Sequence, residues 1–409
     1  MKKSKDNNRR AFLKDVAKAS ALTATVGLSS TTQLFADNKS SLPTLNENTH
    51  GFLTLPYLQN LTSNSVDVMF ITNNKAYSWI EFGEKTLAQK AHTVADGFVT
   101  SYNRVNRIQL NNLKPNTEYK YKVISKEIIQ FEPYELKYGA KITSNEFSFK
   151  TPEINQKEIS CVIFNDIHDR PHSFGELLHV NKNRPFDFVL LNGDMFDYEE
   201  DEAQVIKNLL VPCANLFANS KPYIMLRGNH ETRGKFRGEL KNYFSYPTNE
   251  YFYAFKKGPV HFTLLDTGED KPDDAEVYAG IVDFDAFREK QALWLKKEMQ
   301  KPEYINAKYK VVFMHIPPFH SGDWHGTLHC RKVFSPLFEK HKVDLVISGH
   351  THRHGVHKPN SEHSYPIVIG GGPKKGSRTI TNLLANDKKL EIKMIDDSGK
   401  QVGAYVIKC

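Results

Sequence analysis

The chain has 409 residues, 39% hydrophobic and 25% charged, a composition that excludes disordered, collagenous and low-complexity classes at a length suited to two domains. Its formal charge of +8 gathers at the start. There Lys2, Lys3, Lys5, Arg9, Arg10, Lys14 and Lys18 face only Asp6 and Asp15, leaving 48 basic against 45 acidic side chains beyond residue 36, a near-balance with no strong signal for nucleic acid.

The first residues read as an address. Arg9-Arg10-Ala11-Phe12-Leu13-Lys14 and the apolar run from Ala17 to Leu28 resemble a twin-arginine export signal over 1–36, with Leu34-Phe35-Ala36 as a cleavage site. The run is about a dozen residues against the ~20 that a membrane-spanning helix needs. Cleavage is therefore expected, with no transmembrane anchor in the mature chain and a periplasmic or secreted location. The plainer alternative is a basic amphipathic helix, which polar Ser29–Gln33 does not suit. The cysteines, Cys161, Cys213, Cys330 and Cys409, show no Cys-x-x-Cys spacing, and a bridge among them is neither excluded nor assigned.

From 45 to 152, short β-rich runs alternate with turn residues, as in Ser65–Ile71, Tyr77–Phe82 and Tyr119–Val123, which predicts a small all-β sandwich. Leu113-Lys-Pro-Asn-Thr-Glu-Tyr119 resembles the tight corner of fibronectin type III domains, in which the Tyr hydroxyl bonds back to the backbone. This stretch carries no catalytic constellation.

At Thr151-Pro152 the pattern changes. Over 153–409, apolar runs bounded by Gly, Asn and Asp alternate with helical periodicity, the mark of an α/β domain. Strands are predicted over 159–165, 188–192, 223–227, 261–265, 310–314 and 343–348. Residues 286–300 form a predicted helix with Phe287, Ala292, Leu295 and Met299 on one side. Short strands such as 390–395 follow Tyr365.

This second domain holds 15 of the 17 histidines. Five predicted strand endings run into side chains that can bind metal: Asn165-Asp166-Ile-His168, Asn192-Gly-Asp194-Met-Phe-Asp197, Gly228-Asn229-His230-Glu231, Met314-His315 and Gly349-His350-Thr-His352. In open α/β sheets ligands gather at the carboxyl ends of strands, so the five loops should converge. Taken singly, each has an ordinary reading as a cap, turn or hydrogen-bonded structural residue. Five in this order do not, and Asp, Asn and His without Cys describe a site for a hard-to-intermediate metal.

The ordered set Asp-x-His, Gly-Asp-x-x-Asp, Gly-Asn-His-Glu, His, Gly-His-x-His resembles that of the calcineurin-like metallophosphoesterase superfamily, from Asp166 to His352. With a fibronectin-like domain before it, the architecture is similar to purple acid phosphatases. The resemblance implies a four-layer α/β/β/α domain and two metal ions, with manganese, zinc and iron all fitting such ligands. It implies that Asp166, His168 and His352 hold the first ion, that Asn229, His315 and His350 hold the second, and that Asp194 bridges. A hydroxide between the ions then attacks the phosphorus of a phosphate monoester or diester. His230 corresponds to the family histidine that faces the substrate and serves the leaving oxygen, and Asp197 and Glu231 are expected to orient ligands.

One departure is that purple acid phosphatases carry Tyr where this chain has Asp197 and lack the His of Asp-x-His. Tyr198 and His168 thus point away from a ferric–tyrosinate centre and toward the general superfamily arrangement. In the loop after His315, the residues His320, His325 and Arg331 are candidate substrate contacts, since Arg forks match phosphate oxygens. Trp324 either lines a pocket or packs the loop. The partner expected is a phosphorylated small molecule. Alternatives are a nuclease or cyclic-nucleotide phosphodiesterase on the same scaffold, or a metal-containing binding protein without turnover.

Overall fold

The computed structural model describes residues 49–182 and 184–408; the expected export signal at 1–36 and Cys409 lie outside them. The chain divides into two units, one joining the residues up to Pro152 with Glu202–Ser220, the other holding Glu153–Asp201 and the chain from Lys221 onward. Among the described residues no helix is long and apolar enough to cross a membrane.

In the first unit, strands Tyr57–Gln59, Val66–Gly83, Gln89–Ala91, Ser101–Leu110, Glu118–Glu132, Glu135–Thr143 and Phe147–Lys150 pair antiparallel in a sandwich-like arrangement. The runs at 65–71 and 77–82, expected as two strands, are one. Asn73-Asn74-Lys75 reads as a turn, yet Asn73 Oδ1 accepts from Gly51 N (2.8 Å) and Asn74 Nδ2 donates to Glu127 Oε1 (2.7 Å), which holds the backbone extended. The pairing changes there: the first half of Val66–Gly83 meets Ser101–Leu110 and the second half Glu118–Glu132, with a register shift between Ile71 and Ala76. The helix over Glu202–Ala218 lies within the stretch expected to be the second domain, but it groups with this unit. Tyr121, fully buried, donates its hydroxyl proton to Asn219 O at 2.7 Å.

The second unit is built on two six-stranded sheets. One runs in the order Tyr223–Leu226, Phe188–Asn192, Ile159–Phe164, Thr379–Ala385, Lys389–Asp396, Gln401–Lys408. The other runs Tyr253–Lys257, Val260–Leu265, Tyr309–Met314, Leu345–Ser348, Ile367–Ile369, Gly355–His357. The first three strands of the chain within the first sheet are parallel, as are the four from Val260 to Ile369 within the second. Helix His172–Val180 sets Phe174 against Phe164 on the outer face of the first sheet, with ring centroids 5.2 Å apart. Between the sheets Phe188 meets Phe262 at 5.6 Å. Helices Phe284–Glu298 and His325–Lys340 cover the far face of the second sheet, where Leu295, Met299, Val312, Phe334, Phe338 and Val346 form one core. Each of these side chains contributes roughly 1.5–3 kcal/mol by leaving water, and together they make the α/β/β/α layering.

The buried face of helix Phe284–Glu298 differs from the expected one. Arg288, Gln291, Leu295 and Glu298 point inward, while Phe287 and Ala292 are half-buried. Two of the three polar ones, Arg288 and Gln291, sit inside because an irregular loop beneath them needs donors. Arg288 Nε donates to Thr267 O (2.7 Å) and another guanidinium N–H to Glu269 O, while Gln291 Nε2 donates to Asp266 O (2.7 Å) and its Oε1 accepts from Asp266 N (2.9 Å). Cys161, Cys213 and Cys330 are free and buried.

In the corner 113–119, Tyr119 Oη accepts from Lys114 N at 2.9 Å on a side chain that is nearly fully buried. Tyr119→Phe leaves that N–H without its partner and is expected to lower unfolding stability by about 1 kcal/mol, read as a shift in the urea midpoint at unchanged slope.

Candidate metal centre

All five metal-capable loops leave the carboxyl ends of parallel strands, three from the first sheet and two from the second. Two asparagines stitch the ends together: Asn165 Nδ2 donates to Ser348 O (2.7 Å) and Asn192 Nδ2 to Ile347 O (3.4 Å). The strands stop here because the backbone turns left-handed. Asp166, His168, Asp194, His350 and His352 all have φ between 49° and 72°, a conformation that costs a non-glycine residue on the order of 1–3 kcal/mol and persists only where surroundings impose it.

The loops bring seven side chains together. Asp166, His168, Asp194 and His352 place one ligand atom each within 4.8 Å of one another, and so do Asp194, His315 and His350. Asp194 is common to both groups. His168 Nε2 lies 3.0 Å from His352 Nε2, Asp194 Oδ2 lies 3.0 Å from His315 Nε2, and Asn229 Oδ1 lies 3.0 Å from His350 Nδ1. Two ligands about 2.1 Å from one ion and about 90° apart are separated by about 3.0 Å, so each pair has the spacing of neighbours on a shared cation.

Hydrogen bonds on the far side of the rings select which nitrogen faces inward. His168 Nδ1 meets Asp197 Oδ1 at 3.0 Å and His315 Nδ1 donates to Asn192 O at 2.8 Å, so in both rings the Nε2 lone pair is directed at the acidic centre. His315 Nε2 is buried and has no hydrogen-bond partner in spite of its nearness to Asp194. A buried nitrogen with no partner, lying at ligand distance from a carboxylate, fits a metal ion.

Charge follows the same pattern. Burial raises the Asp194 carboxyl, but His315, His230 and His168 more than reverse this and hold it well below the ordinary carboxylate range. Burial also works against a charged His315, yet Asp194 overrides it and lifts the imidazole to about 10. Two buried carboxylates thus call for positive charge between them, which protons or cations can supply. His350 is pushed down to about 4, by burial first and His315 second, and so stays a neutral donor ring. Below the cluster Glu231 accepts from Gly228 N (2.7 Å), Asp194 N (2.8 Å), Met195 N (2.6 Å) and Phe196 N (3.2 Å), tying the Gly-Asp and Gly-Asn-His loops to one carboxylate.

His230 stands at the edge. Its Nδ1–H donates to Asp197 O (2.6 Å) and its Nε2 lies 3.9 Å from Asp194 Oδ2. Arg233 Nη1 donates to that same Nε2 at 3.0 Å. Arg233 is gripped in turn by buried Glu269, through Nε to Oε1 (2.7 Å) and Nη2 to Oε2 (2.9 Å). Burial, together with Arg233, lowers the His230 pKa although Asp194 pulls it up. Neither Arg233 nor Glu269 was singled out from the sequence. The signal was present, since Glu269 follows strand Val260–Leu265 and the carboxyl-end rule applies to that strand too.

The loop residues find protein partners. His320 Nε2 contacts His363 Nε2 (2.9 Å) and its ring stacks on His357 at 3.8 Å. His325 Nε2 bonds the Asp285 carboxylate at 2.8 Å. Arg331 Nε donates to Pro318 O (2.8 Å) with its guanidinium over Phe319. None of the three hydrogen-bonds to the Asp166–Asp194 cluster. Trp324 is about half exposed, with Lys271 Nζ 6.0 Å from the centre of its ring. Tyr198 is also half exposed, and Asp197, the residue before it, orients His168 from outside the cluster.

Comparison with known proteins agrees with this geometry. Residues 159–354 match the family described as Calcineurin-like phosphoesterase, and residues 55–151 match Purple acid Phosphatase, N-terminal domain. Purple acid phosphatase 22 of Arabidopsis thaliana is 25% identical over 338 residues, covering 76% of this chain and 69% of its own. Acid phosphatase type 7 of Mus musculus is 27% identical over 322 residues, covering 70% and 66%. The solved structure of purple acid phosphatase PPD1 from yellow lupin (Lupinus luteus) seeds has the same fold at a TM-score of 0.64 and 16% identity, covering 86% of this chain and 74% of that one. The fold and site define a metallophosphoesterase with candidate metal ligands. Residues 159–354 are a calcineurin-like phosphoesterase domain behind a purple acid phosphatase N-terminal domain at 55–151, and the chain is a phosphate ester hydrolase.

Gly193, at φ +85°, lies where a Cβ would come within 2.4 Å of His315 Nδ1 and 2.7 Å of Gly228 Cα. Gly193→Ala is therefore expected to cost on the order of 1–3 kcal/mol for the backbone alone and to displace the His315 ring. Elemental analysis of the folded fraction should show fewer than two metal ions per chain, alongside a lowered melting temperature.

Proposed function

We propose that the chain hydrolyses phosphate monoesters at a binuclear centre in which Asp166, His168 and His352 hold one ion, Asn229, His315 and His350 the other, and Asp194 both. The observation that carries this reading is the sharing of Asp194 between two ligand groups whose neighbouring atoms are 3.0 Å apart. When bound, two ions clamp a phosphate and lower the pKa of a water between them. Manganese, zinc and iron all suit nitrogen and oxygen donors of this kind.

The chain's own groups do the rest. Asp194 and Asp166 offset the cationic charge, while Asp197, Asn192 O and Glu231 hold the ligands in orientation. His230 faces the ester's leaving oxygen. Because its Nδ1–H is committed to Asp197 O, protonating the ring places the second N–H on Nε2, the nitrogen toward Asp194 and Arg233. That proton is the one to be passed to the leaving group. Phosphorylated small molecules are favoured over nucleic acid by the near-balance of charge beyond residue 36.

Asn229→Ala is expected to lower metal occupancy, and His230→Ala to keep two ions per chain while slowing turnover of an aryl phosphate by roughly 10²–10⁴-fold. Equal metal loss in both would make His230 a ligand and overturn the assignment. Turnover of bis-esters alone would replace the monoester reading with a diesterase.

Export rests on Arg9-Arg10 and the apolar run after it. Replacing both arginines by lysine should leave uncleaved precursor in the cytoplasm on fractionation. Unchanged delivery and cleavage would sink the twin-arginine route.

A further inference from the structure

Beyond His230 the second unit carries a half-open cleft of about 630 Å³, walled by Arg233, Arg237, Glu269, Lys271, Tyr278 and Ile281 among others. Its volume is that of a site for an organic molecule, well beyond the needs of a phosphate group alone. It adjoins the metal centre through one side chain. Arg233 lines the cleft and also donates to His230 Nε2 at 3.0 Å, and that nitrogen lies 3.9 Å from the Asp194 oxygen common to both ligand groups. An ester whose phosphorus sits over Asp194 with its leaving oxygen toward His230 therefore directs its alcohol half at Arg233 and into this space.

The walls have a mixed chemistry. Val277 and Ile281 expose 72% and 67% of their surface at the cleft's edge, an apolar rim beside the Tyr278 ring. Most charges inside are already matched. Glu269 is taken up by Arg233, by Thr232 Oγ1 (3.1 Å) and by the Tyr278 hydroxyl (3.0 Å), and Lys271 Nζ pairs with Asp270 at 3.1 Å. Arg237 is different. Its Nη1 donates to Thr232 O (3.1 Å) and its Nη2 to Ile281 O (3.0 Å), and no carboxylate among the described residues pairs with it. Two backbone carbonyls fix the position of this guanidinium without cancelling its charge, so it retains its affinity for an anion.

We propose that this cleft is a leaving-group subsite, selecting phosphate esters whose alcohol half is an aromatic or apolar group that carries a further negative charge. Arg237 supplies the charge recognition, Tyr278 and Ile281 the apolar contact, and Arg233 links the subsite to His230. The proposal rests on the phosphoesterase reading for the position of the ester.

The test compares phenyl phosphate with 4-carboxyphenyl phosphate, which differ by one carboxylate, on the metal-loaded protein. The ratio of their kcat/KM values is taken for the wild type, Arg237→Gln and Arg237→Lys. Dividing the variant's ratio by that of the wild type cancels the difference in intrinsic reactivity. Arg237→Gln should lower the carboxylated-to-plain ratio about tenfold relative to the wild type, and Arg237→Lys should lower it less, as expected when one charge-assisted contact is removed or retained. The matching phosphonates, which cannot be hydrolysed, are titrated by calorimetry in parallel. A binding preference that depends on Arg237 without turnover of either ester would retain the subsite and reject the phosphoesterase. Turnover of both esters with a ratio that Arg237→Gln leaves unchanged overturns the subsite.

Discussion

Asp194 is the constraint on which the second unit turns. A carboxylate with almost no exposure is costly to bury unless positive charge or N–H donors meet it, and here it gathers both. His230 N donates to its Oδ1 at 2.9 Å while His315 faces its Oδ2 at 3.0 Å. All five candidate ligand loops meet this one group or Glu231, which holds the Asp194 backbone. A cation between Asp194 and the imidazoles would satisfy the same demand that protons satisfy otherwise. Metal uptake and acid–base state are therefore two answers to one electrostatic problem.

Rigidity around that carboxylate is obtained from the far side. Arg288 and Gln291 reach out of a helix to hold the backbone of Asp266–Glu269; Glu269 then holds Arg233, and Arg233 meets His230. Asp266 is fixed independently by Arg227, whose guanidinium lies over Tyr251. The helix face is polar where an amphipathic helix would be apolar, and local packing energy is given up to orient a loop that serves the site. The left-handed backbone at five ligand positions is a second instance of stability forgone for geometry. Both features are common where a fold serves chemistry more than its own stability.

The first unit follows other rules. Its corner at Leu113–Tyr119 is held by one tyrosine hydroxyl, and its longest strand survives a three-residue turn signal because two asparagine side chains supply the missing bonds. None of the candidate metal ligands comes from its described residues.

From the residues alone came the seven candidate ligands, the order of their loops, the corner tyrosine and the change from all-β to α/β near Pro152, because each is written in contiguous residues or in a strand period. Single positions carry that information: Gly193 permits the turn before Asp194, and Asn229 and His230 stand side by side. Only the tertiary structure decided that Arg233 and Glu269 belong beside His230, that Arg288 is buried, that the runs at 65–71 and 77–82 are one strand, and that His320, His325 and Arg331 meet His363, Asp285 and Pro318. These depend on partners 30 or more residues away, or on backbone carbonyls that any sequence would offer. Pattern and composition reveal which side chains can bind an ion; the packing of two sheets decides which charges are left unmatched once they have met.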